Sequence, residues 1–271
     1  MGAAKWARRP ASGFLIFALC VAACTPNHVP VNLEFVVTWQ GQPLRCNETG
    51  IRLTDLRFYV SSVTLIDSNG IEHGLEMSED GLWQHSGIAL VDLENGEAAC
   101  VNGSPAMNSQ VSGTTTAAGF SGLRFVLGVP FDLNHANPLT AQPPLDDAAM
   151  HWHWRSGYKF LRAGVATESD GFWLHLGSTG CEGTVQNISG CRSPNRVLVE
   201  LSGFSPTTDR IEIDLAALFP DVDLNDGRRG DCSSGPAEAS CAEPFRALGL
   251  EFGNNTAASP PGSQGVFRVR R

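Results

Sequence analysis

Leu56-Arg57-Phe58-Tyr59-Val60-Ser61-Ser62-Val63-Thr64-Leu65-Ile66, followed by Asp67-Ser68-Asn69-Gly70, reads as a β-strand running into a tight turn. β-Branched and aromatic residues suit a pleated, packed surface, and Asn-Gly supplies the left-handed backbone of a hairpin turn. The same signature recurs on both sides. Val31, Leu33, Phe35, Val37 and Trp39 alternate along an earlier strand. Ile88–Asp92, Gly122–Gly128, Tyr158–Val165, Gly171–Leu176, Asn195–Ser202 and Arg210–Ile213 are further strands. A helical period is almost absent, and only Asp214–Phe219 has room for a turn or two of helix. Many short strands separated by Gly, Asn and Ser turns predict an all-β fold, a single Greek-key-like β-sandwich domain with long loops. Those loops are expected at Gly103–Gly119, at Asn134–Ala149 and at 225–243 and 254–264.

The chain begins with a positive segment carrying Lys5, Arg8 and Arg9, then an apolar run from Phe14 to Ala23 too short to span a bilayer. Val21-Ala22-Ala23-Cys24 has the form of a lipoprotein cleavage site. The expected organisation is therefore a signal peptide at 1–23, lipidation on Cys24, a tether at 24–30 and one domain over 31–271. The expected location is the periplasmic side, held by a lipid in the outer membrane, or secreted. Losing Lys5, Arg8 and Arg9 takes the net charge from −9 to −12. An acidic chain without a Lys/Arg cluster argues against nucleic acid, and leaves the lipid anchor as its expected link to a membrane.

Six cysteines follow the cleavage site: Cys46, Cys100, Cys181, Cys191, Cys232 and Cys241. An even number in an exported chain reads as disulfides. Cys181–Cys191 and Cys232–Cys241 enclose short loops and are the natural local pairs, which leaves Cys46 and Cys100; six cysteines alone do not settle the connectivity. The spacings of zinc sites and of covalent haem attachment are missing.

Candidate chemistry gathers at Met150-His151-Trp152-His153-Trp154-Arg155-Ser156-Gly157-Tyr158-Lys159-Phe160. On a strand, Trp152 and Trp154 would share one face, and His151 and His153 the other. His135 in Asn134-His135 and His175 in Trp173-Leu174-His175-Leu176-Gly177 complete the set of interest. A single histidine is by default a satisfied core residue, but four imidazoles without clustered carboxylates suit copper or zinc better than calcium or magnesium. Two indoles on one face also suit a sugar- or peptide-binding platform. A copper redox enzyme is a third reading. G-x-S-x-G and H-E-x-x-H are both missing.

Several segments resemble the MbnP-like proteins, also called the metallo-mystery pair four-cysteine motif family. They are Asp55-Leu56-Arg57-Phe58-Tyr59-Val60-Ser61, Gly128-Val129-Pro130 with Asn134-His135, the W-x-W of Trp152 and Trp154 with Gly157-Tyr158-Lys159-Phe160, His175-Leu176-Gly177-Ser178-Thr179-Gly180-Cys181, and Phe267. The resemblance implies a non-enzymatic, exported β-sandwich protein holding one copper ion. It implies His135 and His175 as ligands, together with a kynurenine made from Trp152 or Trp154, Trp152 being preferred. It implies an MbnH-like dihaem partner of the MauG/cytochrome c peroxidase kind as the maker of that kynurenine. His151 and His153 depart from the family pattern and stand as additional candidate ligands. Tryptophan is a poor metal ligand because its indole nitrogen only donates; ring opening creates an amine and a carbonyl.

Overall fold

The computed structural model describes residues 1–2, 28–185, 187–220, 222–224, 226, 230–253 and 264–271. Residues 3–23 of the expected signal peptide, Cys24 with residues 25–27 of the expected tether, and residues 254–263 of the expected loop at 254–264 lie outside them. In chain order the strands are β1 (Val29–Trp39), β2 (Gln42–Pro43), β3 (Arg52–Asp67), β4 (Glu72–Gly74), β5 (Glu76–Met77), β6 (Gln84–His85), β7 (Ile88–Asp92), β8 (Gln110–Thr115) and β9 (Phe120–Leu127). They continue with β10 (His151–His153), β11 (Gly157–Ala166), β12 (Gly171–Gly177), β13 (Thr179–Thr184), β14 (Asn187–Ser193), β15 (Val197–Ser202), β16 (Arg210–Asp214) and β17 (Phe267–Arg270). Three short helices, α1 (Phe131–Asn134), α2 (Leu215–Leu218) and α3 (Ala242–Ala247), punctuate them.

Two sheets form the sandwich. One runs β17-β16-β1-β8-β5 with β2 on β1; the other is built around β11, β3, β7 and β9, with β4, β6, β10, β12 and β15 attached. Most neighbours are antiparallel, but β1 and β16 pair in parallel, Phe35 opposite Ile211. The sheets meet through aromatic side chains. Phe35 of β1 lies edge-to-face on Phe58 of β3 at 5.5 Å and on Phe125 of β9 at 5.9 Å. Phe267 of β17 closes the cluster against Phe58 and Phe125 at 5.8 and 5.5 Å. Such pairs contribute beyond the area they bury. The three cysteine pairs are Cys46–Cys100, Cys181–Cys191 and Cys232–Cys241, so the local pairs and the leftover pair both form.

The central strand β3 is buried on both faces from Leu53 to Ser61. One face carries Leu56, Phe58 and Val60 into the core. The other carries Asp55, Arg57, Tyr59 and Ser61, and is roofed by the long loop that ends at Ala149. Polar groups hold the roof down: Tyr59 Oη donates to the Pro144 carbonyl at 3.0 Å, and Tyr158 Oη to that of Leu145 at 2.7 Å. Lys159 Nζ and Arg162 Nη1 donate to the Ala149 carbonyl at 2.8 and 3.1 Å. A loop laid on a sheet has backbone carbonyls that need donors, and this outer face supplies them.

Three expectations are corrected. Gly103–Gly119 is not all loop, because Gln110–Thr115 forms β8 and pairs with β1, Leu33 opposite Val111. Small polar residues concealed the strand, whose partner decides its state more than its propensity does. The segment 225–243 includes the start of α3. The alternation of His151 to Trp154 ends at His153; Trp154 lies in the turn between β10 and β11, so the two indoles do not share a strand face. The hairpin β13–β14, a separate two-stranded sheet, carries no strand signal in the sequence because Ile188 is the one large aliphatic side chain in its two strands.

Candidate metal site

The site is assembled where α1, the β10–β11 hairpin, β12 and the β13–β14 hairpin come together. Asn134, at the end of α1, is buried and sets the arrangement. Its Oδ1 accepts from the Tyr158 backbone nitrogen at 2.8 Å and its Nδ2 donates to the Ser156 carbonyl at 3.0 Å. Those two bonds tie α1 to the hairpin and place the next residue, His135, beside it.

The His135 ring packs edge-to-face on Phe131 at 4.8 Å. Its Nε2 lies 3.2 Å from Asn134 Nδ2 and 3.4 Å from Cys191 Sγ. Its Nδ1 is buried without a hydrogen-bond partner. Burial lowers the imidazole pKa, with the Trp154 backbone acting the other way.

His175 projects from β12, opposite Arg162 of β11. Its backbone is bracketed by the Cys232–Cys241 loop: the nitrogen donates to the Cys232 carbonyl at 2.8 Å, and the carbonyl accepts from Ser234 Oγ at 2.8 Å. The side-chain Nε2 is buried and unpartnered. Burial first, then the positive charges of Arg162 and Lys159, push its pKa down to about 4, so the ring is neutral at physiological pH. Trp152 stands edge-to-face to His175 with ring centroids 6.4 Å apart, and Trp173 flanks the same imidazole at 6.4 Å. Gly177 makes room for Trp152: a Cβ there would sit 3.1 Å from the indole carbons.

The other candidates are placed differently. His151 packs on Tyr158 at 5.2 Å, with a pKa lowered by burial and then by His153 and Lys159. His153 is exposed, and its ring nitrogens engage the Arg155 backbone and Ser156 Oγ. Trp154 is 38% exposed, with the Arg155 guanidinium 4.9 Å from its ring. His135, His151 and Trp154 line one cleft of about 510 Å³, whereas His175 opens to a separate cavity of about 310 Å³ beside Arg162 and Trp173. The structure thus joins Trp152 to His175 and His135 to the Trp154 backbone, and leaves His153 facing solvent. Among the described residues, the only triplets of His, Cys or carboxylate groups within 4.8 Å of one another contain disulfide cysteines, so the four histidines do not form a closed cage.

The donor set fits copper. His175 carries a buried nitrogen that no protein group satisfies, His135 lines an open cleft, and neutral imidazole is a good ligand for Cu, Zn or Ni. No local sequence pattern reveals the role of Asn134, the Gly177 space or the Cys191 contact. The Asn134-His135 and His175-to-Cys181 motifs were their only sequence trace.

Fold and site define a disulfide-bridged β-sandwich that sets a neutral imidazole, His175, edge-to-face to an indole, Trp152. The chain belongs to the MbnP family, whose model matches residues 28–234. It is similar to the solved structure of MbnP from Methylosinus trichosporium, at 29% identity and a TM-score of 0.78, over 90% of this chain and 99% of that one. A search of the curated proteins gives no match. Membership makes this a copper-related protein.

Proposed function

We propose that this chain binds one copper ion through His135 and His175, with a kynurenine formed from Trp152 as a further ligand. It acts in copper acquisition, storage or delivery and not as an enzyme. The observation that carries this reading is the orphaned buried Nε2 of His175, on an imidazole that packs against Trp152. An unsatisfied buried polar atom is costly, and a metal ion would satisfy it.

The chain's own residues prepare that chemistry. Burial, helped by the charges of Arg162 and Lys159, keeps His175 neutral and therefore ready to offer a lone pair. Asn134 orients His135. Gly177 lets Trp152 approach the strand that carries His175. Bound copper would supply a redox-active, imidazole-preferring centre. Kynurenine formation is assigned to an MbnH-like dihaem partner, and Trp154, the more exposed indole of the pair, is the alternative target. Export with a lipid on Cys24 belongs to the same proposal. His151, on the His135 cleft, is the next candidate ligand, ahead of the solvent-facing His153.

The test is peptide mass spectrometry with copper analysis on protein isolated from its native host. Conversion of one tryptophan to kynurenine adds about 4 Da. A shift on Trp152 with one copper supports the reading. Copper with unmodified tryptophans would leave a histidine-only site, and neither signal would sink the proposal.

A further inference from the structure

The hairpin β13–β14 sets Cys181 directly opposite Cys191, and their disulfide is the most accessible of the three. Cys46, Cys100, Cys232 and Cys241 are all buried, whereas Cys191 is part-exposed on a two-stranded sheet of its own. His135 Nε2 lies 3.4 Å from Cys191 Sγ, and the two sulfurs and one imidazole nitrogen all fall within 4.8 Å of one another. The Asn134 amide is oriented by Tyr158 and Ser156, so its remaining N–H points at Nε2 and favours the tautomer with the lone pair on that side. The cleft beside His135 leads in from solvent and is bordered by Val185 of the same hairpin.

We propose that reduction of Cys181–Cys191 creates a second, thiolate metal site, Cys181-Cys191-His135, that takes Cu(I). The reductant is a dithiol. Its thiolate attacks Sγ of the part-exposed Cys191, the S–S bond breaks and Cys181 leaves as a thiolate. The second thiol of the reductant then resolves the mixed disulfide, freeing Cys191 while the reductant becomes a disulfide. Binding the ion with both cysteines as thiolates releases two protons. Two thiolates and an imidazole form a soft donor set, which selects Cu(I) by ligand type. The hairpin is a two-stranded sheet of its own, so among the described residues no third strand holds Cys181 and Cys191 at their present spacing.

A consequence that rests on the proposed copper centre is competition for His135. The oxidised hairpin leaves this imidazole to the centre shared with His175, and the reduced hairpin draws it to the sulfurs. The disulfide state would then govern copper release.

The experiment uses the full mature chain, treated anaerobically with a mild dithiol, desalted, and titrated with Cu(I) against a chromophoric Cu(I) chelator. Thiol alkylation and peptide mapping identify which bridge opened. Expected are two free thiols at Cys181 and Cys191 and one Cu(I) that the disulfide form and the Cys181→Ser/Cys191→Ser variant do not bind. Sulfur scatterers should appear in its X-ray absorption spectrum. His135→Ala should weaken this site by at least about tenfold. Equal Cu(I) binding by reduced wild type and the double variant overturns the proposal, as does reduction of another bridge first or capture of Zn(II) without Cu(I). If the double variant does not fold, reduced wild-type protein alkylated at both cysteines replaces it. Because the copper centre is assayed with the disulfide intact, failure here leaves the proposed function standing.

Discussion

Asn134 and Gly157 are packed so closely that a Cβ on Gly157 would sit 2.2 Å from the Asn134 carbonyl oxygen and 2.4 Å from its Oδ1. Gly157 also has φ +76°, a region that side-chain-bearing residues rarely adopt. The glycine lets the β10–β11 turn lie against the end of α1, and this contact sets the position of His135.

Gly157→Ala should therefore cost about 1–3 kcal/mol in backbone strain alone, with the clash adding to it. Chemical denaturation should show that loss, and copper content should fall with it because His135 moves. Unchanged stability would mean that α1 shifts freely, contrary to the bonds Asn134 makes with Ser156 and Tyr158.

Gly177→Ala tests the other side of the site. The new methyl would meet the Tyr158 carbonyl at 2.8 Å and the Trp152 ring at 3.1 Å. A stability loss of about 1–3 kcal/mol is expected from overpacking, along with a change in Trp152 fluorescence and less modification at that residue. Full modification with native spectra would show that the gap beneath Trp152 is incidental.

Asp92 gives the pH prediction. Burial, then Glu94, raises its pKa from 3.8 to about 8, with Arg57 pulling the other way. Between about pH 4 and 8 the folded chain keeps a proton that the unfolded chain has released, so this group's contribution falls as pH rises through that window. Asp92→Asn keeps the oxygen that accepts from the Glu94 backbone nitrogen and removes the charge. Its stability advantage over wild type, followed through Tm, should grow from pH 5 to pH 9, reaching on the order of a few kcal/mol. Parallel melting profiles would refute the shift.

Arg57 anchors the same cluster. It is buried, donates through Nε and Nη2 to both Asp55 oxygens at 2.9 and 2.7 Å, and Asp55 also holds Arg162 at 2.7 Å. Removing one partner of a buried ion pair typically costs about 3–5 kcal/mol. Arg57→Ala should lose that much in urea titration, and Arg57→Lys should rescue it poorly, since an ammonium cannot reproduce the two-pronged contact. Full rescue by lysine would show that only the charge matters.

Much of the sandwich was legible because strands announce themselves locally. Val31 to Trp39 alternates every second residue and β1 follows, and Ile88–Asp92 is a strand with those same bounds. Strands poor in large side chains, such as Gln110–Thr115 and Thr179–Thr184, carried no such signal. Part of the site was legible too: the motifs named His135, His175 and Trp152 but not their surroundings.

The sequence by itself determined the all-β class, the six bridging cysteines and the candidate imidazoles and indoles, since residue type and short-range periodicity carry that information. Only the tertiary structure decided that Trp152 stands by His175, that Trp154 turns away from it, and that His135 meets Cys191 across 56 residues of chain. Those relations depend on loops whose paths are set by distant donors and by glycines that admit close approach. Packing between remote segments fixes them, and a local pattern cannot encode it.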